Sequence, residues 1–511
     1  MNSEHELKTP TGLVVPRCGD TPRKGGRITV GSIGAGALTT LDPVHVFNAG
    51  DLLRALQLYE PLFTLSADLR TIEPVLAVSA EPNADASVWT LRLREGVSWH
   101  DGSPFTAADV IHSFNYWADS VFSSVARLID FARLRVLDPL TLRVPLIQAC
   151  AEWPSTLTIH GLSVVKAGTV RGSIDSAPNG TGPFKCQSFS RAGSLLVANR
   201  SYWQEDRPYV DELVFDTSFE NEDDRLAALS AGRIDVMPTC PLAEASRRQT
   251  NPDVVVLAAP SPWPYPLIMR VDQGPLADPR IRRAMKLIAD RPAMVDAAWA
   301  GMGQVGNDLF CDGEQYDYFA SDLEIHQDID QARHLLKAAG VDGETFTMTT
   351  SPTAGGVMDA AHLFAREADK AGVSIKLNQV APDLFYTPQA GFLERCFSAG
   401  SYYAPAGSLT ATYLVLFSRY STVNESRWGY QDGGNASWDL IDAAVAATDP
   451  VRAAELWYDV QRQQFDGGGF LIWGNAHAAN LVSPRVHGLS EGAVGWLNSA
   501  RFLDAWTELS T

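Results

Sequence analysis

Trp89-Thr-Leu-Arg-Leu-Arg-Glu-Gly-Val-Ser-Trp-His-Asp-Gly-Ser-Pro-Phe-Thr-Ala-Ala-Asp-Val110 reads, without a break, as a strand, a tight turn and a capped helix. Trp89, Leu91 and Leu93 alternate with Thr90, Arg92 and Arg94, the period of a strand with one face in a core. Asp101-Gly102 and Ser103-Pro104 are turn dipeptides. Thr106 stands three residues before Asp109, the spacing of a capping box, and Val110, Phe114 and Trp117 then recur at helical spacing. Nothing in the stretch is an activated nucleophile or a metal cluster.

Around this stretch lies a chain of 511 residues, too long for one ordinary core and long enough for two or three lobes. Its 45% hydrophobic and 20% charged residues are those of a folded chain, not a disordered one. A net charge of -19 argues against a nucleic-acid partner, whose phosphates demand a basic face. No segment approaches the ~18 apolar residues needed to span a bilayer. The first thirty residues lack the basic start and apolar run of a secretory leader. A removed leader, a misassigned start and a protein that is not exported all stay open. Residues 1–24, polar and proline-containing, read as a flexible arm.

The six cysteines (Cys18, Cys150, Cys186, Cys240, Cys311, Cys396) are scattered and form no CxxC, which disfavours zinc and thioredoxin-like roles. Buried thiols or one or two disulfides both fit that spacing.

Arg27-Ile-Thr-Val30 reads as a first strand, followed by the glycines of Gly31-Ser-Ile-Gly-Ala-Gly36. The third glycine of a dinucleotide loop is missing, and Pro43 breaks the helix that would hold the pyrophosphate. Leu52–Leu62 looks helical. Pro178-Asn-Gly-Thr-Gly-Pro-Phe184 is a turn-rich junction, and Gly232 closes a helix that feeds a short strand. Ser261-Pro-Trp-Pro-Tyr-Pro266 reads as neither helix nor central strand, but as a stiff connection between lobes. Asp278-Pro279 starts a helix bearing Ile281, Ala284, Met285 and Ile288 on one face. Asp330–Gly340 reads as another capped helix, and Asp449-Pro450 opens a third. These alternate with Phe346–Thr349 and Val373–Leu377, strand-like runs that make the region α/β.

The stretch from Trp89 to Val110 resembles the signature of family 5 extracellular solute-binding proteins, the receptors of peptide/nickel-type ABC importers. The phrases Leu41-Asp-Pro43, Tyr59-Glu-Pro-Leu62, Gly180-Thr-Gly-Pro183, Asn199-Arg-Ser-Tyr-Trp203, Pro208–Leu213, Leu229–Val236 and Asp290-Arg291 are similar to that family's and follow its order. The resemblance covers nearly everything from Gly25 onward. It implies an α/β, type II periplasmic-binding-protein fold of two lobes joined by a hinge, with a small extra subdomain. The expected division gives lobe I residues 25–70, 180–265 and 482–511, an inserted subdomain 71–179, and lobe II 270–481.

Catalytic motifs are missing: no Walker A loop, no Gly-x-Ser-x-Gly, no HExxH. Binding instead needs apolar walls with a few fixed polar groups, and rings that give contact area at small entropic cost. The first candidate wall is His45, Phe47 and Asn48, after the Leu-Asp-Pro loop. The second is Ser401, Tyr402 and Tyr403. In peptide-binding relatives, the resemblance implies an Asp at position 401 that pairs with the peptide ammonium. Ser401 supplies no charge, and Ala404 replaces a second Asp. Asp383 or Glu394 would have to take over for an ordinary peptide to bind. Tyr402 and Tyr403 are able to stack on an aromatic, sugar or amide plane. The third wall is Asn424, Arg427 and Trp428, with Tyr265 in the proline-rich connection and Trp473 beyond the last long helix.

The family then implies a receptor, not an enzyme, that holds a small solute (peptide-like, sugar conjugate or opine-like) between its lobes. The expected partners are a membrane permease and its ATPase subunits. The receptor is expected to be monomeric, periplasmic or extracellular, and to need no cofactor and no metal. Two alternatives stand beside it: a cytosolic ligand sensor on the same fold, and a hydrolase with a carboxylate pair in the cleft.

Overall fold

The computed structural model describes residues 21–511 apart from 35, 47, 67–68, 311–317, 383, 403–407, 431–434, 491–500 and 509–511. Most of the expected arm, Cys18, Cys311, Phe47, Tyr403, Ala404 and Asp383 therefore lie outside the described residues. The fold is mixed α/β. Its spine is an 11-stranded sheet.

One half of that sheet is built on Arg27–Ile33, which pairs in parallel with Glu212–Phe219 and Val236–Met237. The other half pairs Thr345–Thr350 in parallel with Ser374–Gln379 and Phe397–Ala399. Two long antiparallel strands, Val255–Met269 and Phe470–Val482, run through both halves and join them. Three apolar cores result: one under each half, and a large one shared with the inserted segment.

The first of these long strands corrects the reading of Ser261–Pro266, which is a strand in the middle of the sheet. The proline argument fails for a local reason. Pairing with Phe470–Val482 skips the residues between Ala259 and Trp263 and slips again between Tyr265 and Pro266. On the other edge the prolines act only as acceptors: Tyr402 N donates to Pro264 O at 3.0 Å and Gly400 N to Pro266 O at 3.3 Å. A missing N–H costs nothing where only the carbonyl is used.

Residues 77–145 contribute a separate four-stranded sheet containing Val88–Leu93, in which Trp89, Leu91 and Leu93 are buried as their alternation predicts. Helix Ala107–Trp117 starts on a capping box of Thr106 and Asp109. Asp278, Asp290 and Asp449 each cap a helix through a backbone N–H. The helix expected from Asp330 starts one residue earlier, at Ile329, because Asp328 is the residue that caps it. The helix expected at Leu52–Leu62 is Ala49–Leu58, capped by Asn48 and closed before Pro61. The four described cysteines, Cys150, Cys186, Cys240 and Cys396, are free thiols.

Three of the sequence phrases meet at one buried carboxylate. Glu60 accepts from Tyr202 Oη at 2.7 Å, from Thr181 Oγ1 at 2.9 Å and from Trp203 Nε1 at 3.2 Å. Burial pushes its pKa up, against Arg501 and these donors, which pull it down. Gly180 and Gly182 are required nearby, since a methyl group at either would collide with the end of helix Ala49–Leu58. Glu60→Ala is expected to cost about 3 kcal/mol or more, because it strands the buried donors of Tyr202 and Thr181 and the partly buried one of Trp203 at roughly 1–3 kcal/mol each. Urea unfolding measures this, and a loss below about 1 kcal/mol would contradict it.

Candidate ligand-binding cleft

The first wall is set by Asp42. Its Oδ2 accepts from Tyr116 Oη at 2.5 Å and meets His45 Nδ1 at 3.0 Å, while Oδ1 accepts from Val44 N at 3.1 Å. Burial alone would raise this carboxyl. The bonds from His45 and Tyr116 outweigh it and hold the group below the usual carboxylate range. His45 is thereby fixed in place, and with Asp42, Thr40, Arg171 and Asp175 it lines a cavity of about 350 Å³. Arg171 lies 4.5 Å over the Tyr116 ring, and Asp175 accepts from Thr40 Oγ1 and Leu41 N. Asn48 uses its amide on the helix cap: Oδ1 accepts from Asp51 N at 2.9 Å and Nδ2 donates to Asp51 Oδ2 at 2.8 Å.

On the second wall, strand Phe397–Ala399 delivers Ser401 and Tyr402. Tyr386 Oη donates to Ser401 O at 2.5 Å, and Ser401 N returns a bond to that hydroxyl at 3.3 Å. Tyr402 is only 7% exposed, and its hydroxyl donates to Glu425 Oε2 at 2.9 Å. Ser398 Oγ donates to the other carboxylate oxygen, and Arg395 lies 4.0 Å away. Burial raises Glu425, opposed by Ser398, Arg395 and Tyr402. The sequence reading missed Glu425, whose sole signal was an acid in the third candidate segment. Glu394, one of the two expected replacements for an Asp at 401, is exposed.

Around the third wall, Asn424 is buried, donating to Trp428 O at 2.9 Å and accepting from Ser426 Oγ at 3.0 Å. Trp428 is 2% exposed and meets Phe417 edge-on at 5.4 Å. Trp473 stacks on Trp299 at 4.5 Å, with Tyr265 4.9 Å from Trp299, so these two candidates stand in the core of the second half. Arg427 is different. It is half-buried, holds a positive φ of 58°, and lies 5.4 Å from the Tyr430 ring, with no carboxylate partner among the described residues. The structure thus ties Tyr402, together with Ser398, to Glu425, and Ser401 to Tyr386. It leaves His45 and Arg427 with polar atoms to spare, and gives Asn48, Asn424, Trp428, Tyr265 and Trp473 structural partners.

The family model of bacterial extracellular solute-binding proteins, family 5 Middle, matches residues 71–412, well over half of the chain. The chain is 28% identical over 314 residues to the glutathione-binding protein GsiB of Shigella flexneri, which covers 59% of this chain and 60% of that relative. The corresponding protein of Salmonella paratyphi A is 28% identical over 326 residues, covering 61% and 62%. The matched region thus spans about 60% of these relatives' own length. Among solved structures, the periplasmic binding protein DppA of Helicobacter pylori in complex with the peptide STSA superposes with a TM-score of 0.81 at 20% identity, covering 95% of this chain and 99% of that one. AgaA of A. tumefaciens in complex with agropinic acid gives the same TM-score, identity and coverage. Both likenesses are of fold.

Proposed function

Because the chain belongs to the family 5 bacterial extracellular solute-binding proteins, we propose that it is the receptor of an ABC importer. It captures a small solute between its lobes and delivers it to a membrane permease powered by separate ATPase subunits. It works outside the cytoplasmic membrane and catalyses nothing itself. The division at 25–70, 180–265 and 482–511 for one lobe, 71–179 for the insert and 270–481 for the other places the hinge on the two strands that run through both halves of the sheet. Closure over the solute then bends those strands where their pairing slips, between Ala259 and Trp263 and at Pro266.

The observation that carries the solute class is the state of the second wall. Ser401 is neutral, and the buried acid beside Tyr402, Glu425, already accepts from Ser398 and Tyr402. A peptide ammonium brought here would find no free carboxylate among the described residues of this loop, and an unpaired buried charge is expensive. Arg427, with no carboxylate partner among the described residues, suits an anionic group. An opine-like or sugar-conjugated acid fits better than an ordinary oligopeptide.

The test is thermal unfolding of the full chain with agropinic acid, glutathione and the tetrapeptide Ser-Thr-Ser-Ala. A ligand at 100 times its Kd adds about 2.7 kcal/mol to stability. Agropinic acid is expected to give the largest rise and the tetrapeptide none, while Ser401→Asp should create a rise with the tetrapeptide. A tetrapeptide that stabilises the native protein best would sink the solute class, and silence with all three would remove the receptor reading for these solutes.

A further inference from the structure

The two lobe-joining strands carry a polar patch that neither the sequence motifs nor the walls above account for. Strand Gly303–Val305 pairs antiparallel with the middle of Phe470–Val482, and Gln304 stands directly opposite Asn475. On Asn475's other side stands Pro264. Residues opposite one another in such a pair share a face, with Cβ atoms about 5 Å apart. Asn475 is 4% exposed, yet its Oδ1 has no hydrogen-bond partner, and neither does Gln304 Oε1. His477, two residues further on the same face, is half-buried, and burial pushes its ring pKa down. Ser261 Oγ, within the slipped part of the neighbouring strand, is also buried without a partner.

The other face of the same strands is filled. Gly303 and Gly474 leave room there for the Trp299 ring, and a methyl group at either would collide with it. Ala476, on that side, belongs to the same core as Trp299 and Trp473. Alternation therefore places Gln304 and Asn475 away from the packed aromatic face, where the two long strands pair in the middle of the sheet. Buried amide oxygens are almost always bonded, so two on facing residues without a partner call for one from outside the chain.

We propose that Gln304, Asn475 and His477 form the floor of the solute site and bind a neutral part of the solute, an amide or a run of hydroxyls, through hydrogen bonds. This rests on the receptor reading and adds to it where the solute sits and what its non-ionic end is made of. Amide side chains both donate and accept, so a complementary amide or polyol satisfies each of them. The charged end of the solute is left to Arg427.

The experiment compares the native chain with Asn475→Leu and Gln304→Leu, melting each alone and titrating each with agropinic acid, which carries a lactam and hydroxyls, and with glutathione, which carries amides. Replacing a side chain whose buried oxygen has no partner by an apolar group of similar shape is neutral or stabilising. Both unliganded variants are thus expected to melt at or above the native temperature while losing at least tenfold in affinity. An unliganded melt several degrees lower would show that the amides serve the fold, and would overturn the proposal. Affinity kept within twofold would overturn it too, while leaving the receptor reading intact. If neither compound binds the native chain, the proposal falls for these solutes, whereas the receptor reading loses only these two solutes.

Discussion

Asp308→Ala should remove about 3–5 kcal/mol of stability, the cost of stripping the partner from buried charges. Asp308 has a fully buried side chain between two cations, with Arg291 Nη2 at 2.7 Å from Oδ1 and Lys286 Nζ at 3.6 Å from Oδ2. Lys286 is itself only 1% exposed and donates to Phe465 O at 2.7 Å. Burial pushes the Lys286 pKa down to about 8; the Asp308 charge holds it up against that, and Arg291, Arg282 and Arg283 press it lower. Without Asp308 the lysine would be driven further toward its neutral form, and Arg291 would keep only its bond to Lys286 O at 3.1 Å. Adding Lys286→Met to Asp308→Ala should recover part of the loss, because one of the two uncompensated charges goes with it. Urea unfolding of the three chains reads this directly. A single-variant loss below about 1 kcal/mol, or no recovery in the pair, would refute the argument.

Much of the architecture was legible because it is local. A period of two at Trp89–Leu93 and caps at Thr106, Asp278 and Asp449 depend on residues a few positions apart, and the structure has them. The strand through Ser261–Pro266 was not legible. Whether proline is tolerated depends on which backbone groups the neighbouring strands use, and those strands lie far away in the chain. The site divides the same way. Residue types at 401 and 427 could be weighed one by one, but the bonds that tie Tyr402 to Glu425 and set Gln304 against Asn475 exist only once distant segments pair. Asn48 shows the reverse ambiguity. An asparagine beside an expected cleft reads as a ligand donor, and its place before Ala49–Leu58 equally marks a helix cap. The aromatic candidates Trp428 and Trp473 stand out in the sequence by ring area, a property that core and cleft value alike.

Stability should fall between pH 6.5 and about 4 through two neutral histidines, and His100 offers the cleanest measurement. In the turn that opens the helix Ala107–Trp117, its Nε2 bonds Gly182 O at 3.0 Å and its Nδ1 accepts from Gly180 N at 3.2 Å. That pair of bonds requires the neutral ring with its hydrogen on Nε2. Burial pushes the pKa down to about 4; the Gly182 bond opposes this and the charge of Lys185 adds to it. His160 is pushed to about 4 by burial and by Arg501. In the unfolded chain both rings titrate near 6.5, so between that value and about 4 the unfolded state binds more protons. The stability these rings contribute is complete above pH 6.5 and is lost as pH falls through that window, by roughly 3 kcal/mol per ring at 1.36 kcal/mol per pH unit. Raised carboxyls at Glu60 and Glu425 act with the opposite sign, since they take up protons in the folded state as pH falls. The whole-protein profile therefore mixes the two, and the difference between native and His100→Gln isolates the histidine. That difference in unfolding free energy should shrink steadily from pH 6.5 to about 4, because glutamine has no proton to gain. A difference that stays constant across the window would mean that His100 is protonated as readily in the folded chain as in the unfolded one, and that the signature turn does not depend on a neutral ring.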